Sequence, residues 1–497
     1  MCGIAGTHGS TTSLTEDDLS TLFHRGPDGN GFRNIYGTTL GHTRLAIIDV
    51  EGGEQPLSSD DGTVWLVVNG EIYNHLELRQ RFPDYDFKTD SDSEVILPLW
   101  AKYGTKTAEM LDGMFALALV DESGQFYMAR DPIGIKPLYY GFDGDTIHFS
   151  SEIKALKDTV EEVLDFPPGH WYTPEHGLVK YYDVADAAQS YLESIPSLSD
   201  IRESLVKAVK KRLMSDVPLG TYLSGGLDST IVTAIAKQEM PHLHTFSVGV
   251  EGSEDIKNAR EAAEALGTDH HEYIYTQEEM MEALPAIIYY LESYDPALVR
   301  SAIPNYFLAR MTRQYVTVVL TGEGADELYA GYHYLKEHNT DEELTDELVT
   351  LTSTLYNCNL QRCDRMTMAH SIEGRVPFLD TEFIELSFAV AREMKISPDG
   401  VEKWALRKAF EDILPKNVAW RVKEQFSKGA GSSDMLRELA DREISDDDFA
   451  AEADDVFAQT GYRIRSKEEL LYHREFVVHF GMAATKVVEP WRGRDVT

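Results

Sequence analysis

Apolar and polar positions follow two successive patterns along this chain. As far as about Val184 the apolar runs are short and strand-like: Thr38 to Asp49, Val64 to Val68, Met114 to Val120 and Gln125 to Arg130. Turn clusters such as Asp121–Gly124 and Asp143-Gly144-Asp145 separate them. One stripe at helical spacing follows Asp92, through Val95, Ile96, Leu99 and Trp100. The pattern predicts an antiparallel α+β domain. Asp186 to Ser199 loses periodicity, so the linker is placed there. Asp200 with Glu203 has capping-box spacing and opens a helix through Leu205, Val209 and Leu213. Strands and helices then alternate: strand Leu243 to Val250, helix Asp255 to Leu266 stopped by Gly267, strand Glu272 to Tyr275, helix Glu278 to Leu291, strand Tyr315 to Leu320. That alternation predicts an α/β doubly wound parallel sheet. The remainder to about Gly481 reads as helical. The predicted units are residues 2–185, residues 200–481 and an irregular tail, 482–497.

A chain of 497 residues is too long for one core, which supports this division. No apolar run approaches the ~18 residues that span a bilayer. Met1 to Ser10 lacks the basic-then-apolar form of a signal peptide. The three cysteines, Cys2, Cys358 and Cys363, make neither a disulfide framework nor a zinc spacing, so a reducing, cytoplasmic setting is expected. Eighty-four acids against 46 Lys and Arg give a net charge of −38, which argues against nucleic-acid or anionic-membrane partners. The acids are dispersed, with a local run only near Ser445 to Asp455, as on a surface adapted to high salt.

The first candidate for chemistry is Tyr222-Leu-Ser-Gly-Gly-Leu-Asp-Ser-Thr230. An apolar strand, Pro218 to Leu223, precedes it, and Ile231, Val232, Ile235 and Ala236 follow at helical spacing. Glycines at a strand–helix joint let backbone amides approach an anion, and the helix N-terminus adds positive partial charge. Ser224, Ser229 and Thr230 offer hydroxyls, and Asp228 a hard oxygen ligand for Mg²⁺. The lysine of a Walker loop is absent. The stretch resembles the pyrophosphate loop of the ATP pyrophosphatases. After the strand Tyr315 to Leu320 comes Thr321-Gly-Glu-Gly-Ala-Asp-Glu327, a second Gly-rich turn whose acids suit Mg²⁺ and an adenylate.

Cys2 directly follows Met1, so loss of the methionine would leave a thiol beside a free α-amine able to act as its base. Cys2-Gly-Ile-Ala-Gly6, Arg25-Gly-Pro-Asp28, His42-Thr-Arg-Leu-Ala-Ile-Ile-Asp49, Asn69-Gly-Glu-Ile-Tyr-Asn74, Thr89-Asp-Ser-Asp-Ser-Glu94 and Arg130-Asp-Pro-Ile-Gly-Ile-Lys-Pro-Leu138 follow in order. The set resembles the class II glutamine amidotransferases, N-terminal-nucleophile hydrolases with an αββα sandwich. The resemblance implies that Cys2 attacks the glutamine side-chain amide, with Asn69 and Gly70 as the oxyanion hole. It implies that Arg44 clamps the glutamine carboxylate beside Leu45, Ala46, Ile47 and Ile48, and that Glu71 and Asp92 hold the ammonium. One cation and one or two anions are what recognition of a free amino acid requires.

The two Gly-rich joints, with Arg362-Cys-Asp-Arg365, Ser371-Ile-Glu-Gly-Arg-Val-Pro-Phe-Leu-Asp380 and Trp420-Arg-Val-Lys-Glu-Gln-Phe-Ser427, resemble the glutamine-hydrolysing asparagine synthetase family over nearly the whole chain. That resemblance implies ATP as substrate and Mg²⁺ held by Asp228 and Asp326. Glu323 would support β-aspartyl-AMP formation and act as base for ammonia, and Lys423 would neutralise phosphate charge. Leu223, Ser224, Gly225, Gly226, Asp228, Ser229, Val248, Thr321 and Gly322 would contact ATP, and Asp364 and Arg375 the substrate aspartate. Thr321 stands where serine is more usual, and its hydroxyl survives. Ammonia would pass between the domains inside the protein, and a homodimer is the oligomeric expectation. His270-His271 reads as structural, because neighbours along a strand face opposite ways. Two rival readings stay open at this point. One is an amide-forming synthetase for another carboxylate, such as the β-lactam synthetases, against which Cys2 argues. The other is a non-catalytic sensor of glutamine and nucleotide, which a missing catalytic residue would have favoured.

Overall fold

The computed structural model describes residues 2–9, 19–190, 195–421 and 433–488. Its amino-terminal part stacks two six-stranded antiparallel sheets. The first runs in the order Leu164–Asp165, Tyr139–Asp143, Thr146–Ser150, Cys2–His8, Thr38–Arg44, Gly29–Ile35. The second runs Gly177–Lys180, His170–Thr173, Phe126–Arg130, Gly113–Asp121, Val64–Ile72, Leu57–Ser58. Alternate residues of both meet in a dry layer: Ile4, Leu40 and Phe149 from one sheet, Val67, Ala118 and Met128 from the other. The outer face of the second sheet carries Leu66, Val68 and Phe115, covered by the stripe after Asp92. That stripe is a 3₁₀ turn, Asp92–Val95, running into the helix Ile96–Tyr103. The sandwich has the form expected for the αββα fold.

The carboxyl-terminal part holds a five-stranded parallel sheet, ordered Asp269–Ile274, His244–Gly249, Leu219–Tyr222, Val318–Leu320, Glu373–Arg375. The four inner and far-edge strands are buried almost throughout, as parallel pairing requires, whereas the edge strand Asp269–Ile274 is half-buried to exposed along its length. The described residues that follow are mainly helical, the last long helix being Lys467–Phe480. A 3₁₀ turn, Ala483–Val487, packs on Tyr294, whose hydroxyl donates to the Thr485 carbonyl.

The join differs from the expectation in two places. A helix, Val184–Ser190, enters the stretch read as linker, and Val184 packs into the core of the second domain. The next helix, Leu198–Lys211, starts upstream of Asp200. Ser197 caps it, its hydroxyl accepting from the Asp200 N–H while the Asp200 carboxylate accepts from the Ser197 N–H. Asp200 thus closes the box rather than opening it.

The two domains share a buried ionic seam. Arg25 is fully buried and donates to Glu152 at 2.7 Å in its own domain and to both oxygens of Asp364 in the other, at 2.8 and 3.2 Å. Arg365 donates to Glu292 at 2.7 Å and to the Ser151 carbonyl across the seam at 3.0 Å. Glu292 accepts in turn from the backbone N–H groups of Ile153 and Lys154. Removing one member of such a buried set typically costs about 3–5 kcal/mol, because a charge is left without its partner in low dielectric.

Candidate active sites

Cys2 begins its strand and is paired in register with Arg44, which puts both side chains on one face. Its backbone N–H donates to Asn69 Oδ1 at 3.1 Å, and its carbonyl accepts from Arg25 Nε at 3.1 Å. Asn69 comes from the other sheet. With its oxygen fixed on Cys2, its buried amide nitrogen has no hydrogen-bond partner and remains a donor. Gly70 has φ +156°, and a Cβ there would lie 2.0 Å from the Met114 carbonyl oxygen, so no side chain fits. Burial pushes the Cys2 thiol up, so a thiolate needs a base.

Arg44 reaches past Cys2 to the carbonyls of Asp49, at 2.6 Å, and Val50, at 2.9 Å. Between them Leu45, Ala46 and Ile47 are buried and Ile48 half-buried, and the Ala46 N–H is tied to Asp28 at 2.9 Å. Glu71 is buried within electrostatic reach of the thiol and Asp92 is buried near Glu71, fixed by the Ile72 N–H at 2.5 Å. Burial pushes both carboxyls up; repulsion from Glu373 and Asp92 adds to the rise at Glu71. Arg375 is the cation among them: its guanidinium lies 3.6 Å from Glu71 and 2.5 Å from Glu373, and it donates to the carbonyls of Arg212 and Met214. The side chain of Arg375 is therefore turned toward the glutaminase pocket. Glu373, which local sequence pattern does not single out, brings a carboxylate of the second domain within electrostatic reach of Cys2.

In the second domain the two Gly-rich joints touch. A Cβ on Gly322 would lie 2.9 Å from the Ser229 nitrogen and 3.0 Å from Asp228 Cβ. Gly225 has φ +71°, and its Cβ would meet the backbone of Asn258 at 2.4 Å. Ser224 and Ser229 hydroxyls lie 3.1 Å apart, and Gly226 caps the helix Leu227–Glu239. Leu223, Val248 and Thr321 are buried beside them, and the Leu223 N–H donates to the Phe246 carbonyl at 2.9 Å.

Asp228 and Asp326 close on one cation, the buried ammonium of Lys403, at 2.5 and 2.7 Å. The two carboxylates raise the lysine above its ordinary range against the effect of burial. Lys403 sits at φ +55° just before the helix Trp404–Phe410. Nothing in the local pattern marks it; only the fold brings it to residues 175 and 77 positions away in the chain. Glu323 pairs with Arg362, and Glu327, buried, accepts from the Tyr332 hydroxyl at 2.5 Å and from Asn359 at 3.0 Å. Burial first, then repulsion from Asp326, raises Glu327 to about 7.

One helix, Asn359–Met368, serves several of these places. Arg362 points to Glu323, Asp364 to Arg25, and Arg365 to Glu292. Both oxygens of Asp364 are occupied by Arg25, with Lys136 3.8 Å away. Lys423 lies outside the described residues.

Residues 1–190 match the family model described as a glutamine amidotransferase domain, and residues 200–348 and 336–482 match the model described as asparagine synthase. A Schizosaccharomyces pombe protein, named a probable asparagine synthetase (glutamine-hydrolyzing), is 41% identical, covering 90% of this chain and 89% of its own. Asparagine synthetase (glutamine-hydrolyzing) 2 of Arabidopsis thaliana is 40% identical, covering 99% of this chain and 89% of its own. The corresponding Zea mays protein is 39% identical, covering 99% and 88%. With both models matched in order, and relatives alike over nearly the full length, the chain belongs to the glutamine-hydrolysing asparagine synthetases.

Proposed function

We propose that the chain makes asparagine from aspartate, ATP and glutamine, giving glutamate, AMP and pyrophosphate. The observation that carries this reading is that two sets of reactive groups, one around Cys2 and one around Asp228 and Glu323, are each brought together and are joined by a buried seam.

At the first centre, removal of Met1 converts the Cys2 nitrogen into an amine already held by Asn69 Oδ1, placed to take the thiol proton. The thiolate attacks the glutamine side-chain carbonyl. The oxyanion is met by Asn69 Nδ2 and the Gly70 N–H, donors typically worth ~3 kcal/mol each. Ammonia leaves, and water then releases glutamate from the thioester. Arg44 receives the glutamine carboxylate, while Glu71 and Asp92 receive its ammonium.

At the second centre, the 224–229 loop holds pyrophosphate, and the aspartate β-carboxylate attacks the α-phosphorus to give β-aspartyl-AMP. Mg²⁺ would be held by Asp228 and Asp326, whose hard oxygens already converge on one cation, and it supplies charge neutralisation for the leaving pyrophosphate. Lys403 and Lys423 add positive charge there. Ammonia attacks the acyl carbon, Glu323 takes the proton, and the acyl–oxygen bond breaks to release AMP. Asp364 and Arg375, expected to contact aspartate, have side chains engaged by Arg25 and by Glu71 and Glu373, so their part is to order the seam between the centres and not to bind that substrate. Ammonia would pass from the first centre to the second inside the protein, across the buried seam that joins the two domains. No helix of the described residues is long and apolar enough to cross a membrane. The buried free cysteines support a reducing, cytoplasmic setting, the surface charge disfavours nucleic acid, and a homodimer is the assembly proposed.

The test is product identification. Purified protein given ATP, glutamine and aspartate should yield asparagine, AMP and pyrophosphate in equal amounts. Amide formed preferentially from another carboxylate, or binding without turnover, would refute the assignment.

A further inference from the structure

Away from both centres, the amino ends of two neighbouring strands gather three metal-ligating side chains. His244 opens the strand His244–Gly249 and is in register with Asp269, which opens Asp269–Ile274; His271 is two residues further along the same face. His244 Nδ1 lies 3.0 Å from His271 Nε2 and 3.2 Å from Asp269 Oδ2, and His271 Nε2 lies 3.9 Å from Asp269 Oδ1. Ligand atoms about 2.0–2.1 Å from a zinc ion stand roughly 2.9–3.4 Å from one another, so two of these spacings are those of a coordination shell.

A single hydrogen bridges His244 Nδ1 and His271 Nε2, so the two imidazoles present at least one nitrogen lone pair to the space they share with Asp269 Oδ2. The ring planes are fixed by stacking: Tyr315 lies on His271 with centroids 3.9 Å apart, and Phe246 flanks it at 5.3 Å. His270, on the opposite face, is engaged elsewhere, with Thr245 at 2.9 Å and Ser247 at 3.2 Å. The adjacent pair His270-His271 is thus no ligand pair, but His271 finds its partner across the strand ladder. Asp269 is largely exposed, so remaining coordination positions face water.

We propose that His244, Asp269 and His271 bind a divalent late transition-metal ion of the zinc type. Two imidazoles and one carboxylate with open positions suit Zn²⁺, whereas Mg²⁺ prefers an all-oxygen shell. The ion would clip the amino ends of two strands whose opposite, carboxyl ends face the nucleotide loops. It therefore acts on the strand pairing and not on ATP.

The experiment uses the full chain, freed of metal by a chelator and kept in excess Mg²⁺. It is titrated with Zn²⁺ by calorimetry and with Co²⁺ by visible absorption, and its thermal unfolding is followed with and without Zn²⁺. Binding should be saturable, with a Kd raised at least about tenfold in each of His244→Gln, His271→Gln and Asp269→Asn. His270→Gln should bind like the parent, and Zn²⁺ should raise the melting temperature of these two proteins alone. Absence of saturable binding overturns the proposal. So does binding that survives undiminished in His244→Gln and His271→Gln, which would place the ion elsewhere, or equal weakening by His270→Gln.

Discussion

Around Cys2 acids outnumber cations, whereas around Asp228 the acids already have one. Glu71 and Glu373 both face the Arg375 guanidinium, and the carboxyls of Glu71 and Asp92 are pushed up chiefly by burial. Asp228 and Asp326 are closed on the ammonium of Lys403. The first pocket is prepared for a ligand that brings a positive charge, as the glutamine ammonium does. In the second, two carboxylates share one internal ammonium; a bound metal ion would be held by these carboxylates and supply charge neutralisation there, and Lys403 would then be free to offset phosphate charge. One centre would be completed by its substrate, and the other would exchange an internal partner for an external one.

The largest effect that bears on this contrast is loss of either acid in the second centre. Asp228→Ala and Asp326→Ala should each lower pyrophosphate release by about 10²–10³-fold, the scale of a lost charge-stabilising contact, and leave glutaminase activity within a factor of a few. Pyrophosphate release that persists in both would contradict the exchange. Next comes the seam between the centres. Arg25→Met should cost about 3–5 kcal/mol of stability in urea unfolding, because Asp364 and Glu152 stay buried without it. Glutamine-dependent synthesis should fall more than ammonium-dependent synthesis.

A smaller effect separates the acids of the second centre by pH. Glu327 binds its proton more tightly when folded, at about 7, than an ordinary glutamate at 4.5. Its contribution is therefore most favourable below pH 4.5 and declines as pH rises from there to about 7. Between pH 5 and 7.5 the parent should lose roughly 1–3 kcal/mol more stability than Glu327→Gln. Identical losses in the two proteins would show that this carboxyl is not held protonated. The mildest effect concerns the surface. With a net charge of −38, melting temperature and activity should rise with KCl well beyond physiological concentration, since repulsion is screened within a few ångströms there. A melting temperature indifferent to KCl would remove the high-salt reading and leave both centres as described.

The parts legible in the sequence are those whose chemistry is local. The 224–229 loop is read from a strand, two glycines and a helix in succession, and Asn69, Gly70 and Glu71 occupy consecutive positions of one strand. What the sequence withholds is partner choice across the fold. Lys403 has no motif, yet the turn before Trp404 delivers it to two acids. Asp364 and Arg375 lie in recognisable stretches, but which group each side chain meets depends on the docking of a second domain. The capping box lies one step upstream because Asp200 is the acidic partner of Ser197 at its third helical position, a pairing that the equal spacing of Asp200 and Glu203 obscures. The His244–His271 meeting depends on strand register, which short strands without flanking hairpins do not reveal.

The most direct test of the two-centre mechanism is a paired assay on pure Cys2→Ala protein whose folding has been verified. Glutamine-dependent asparagine formation should vanish. Synthesis from aspartate, ATP and added ammonium should continue near the parental rate, because Asp228, Asp326, Lys403 and Glu323 are untouched. Retained glutamine-dependent synthesis, or loss of the ammonium-dependent reaction in the folded variant, would contradict the division of labour between Cys2 and the second domain.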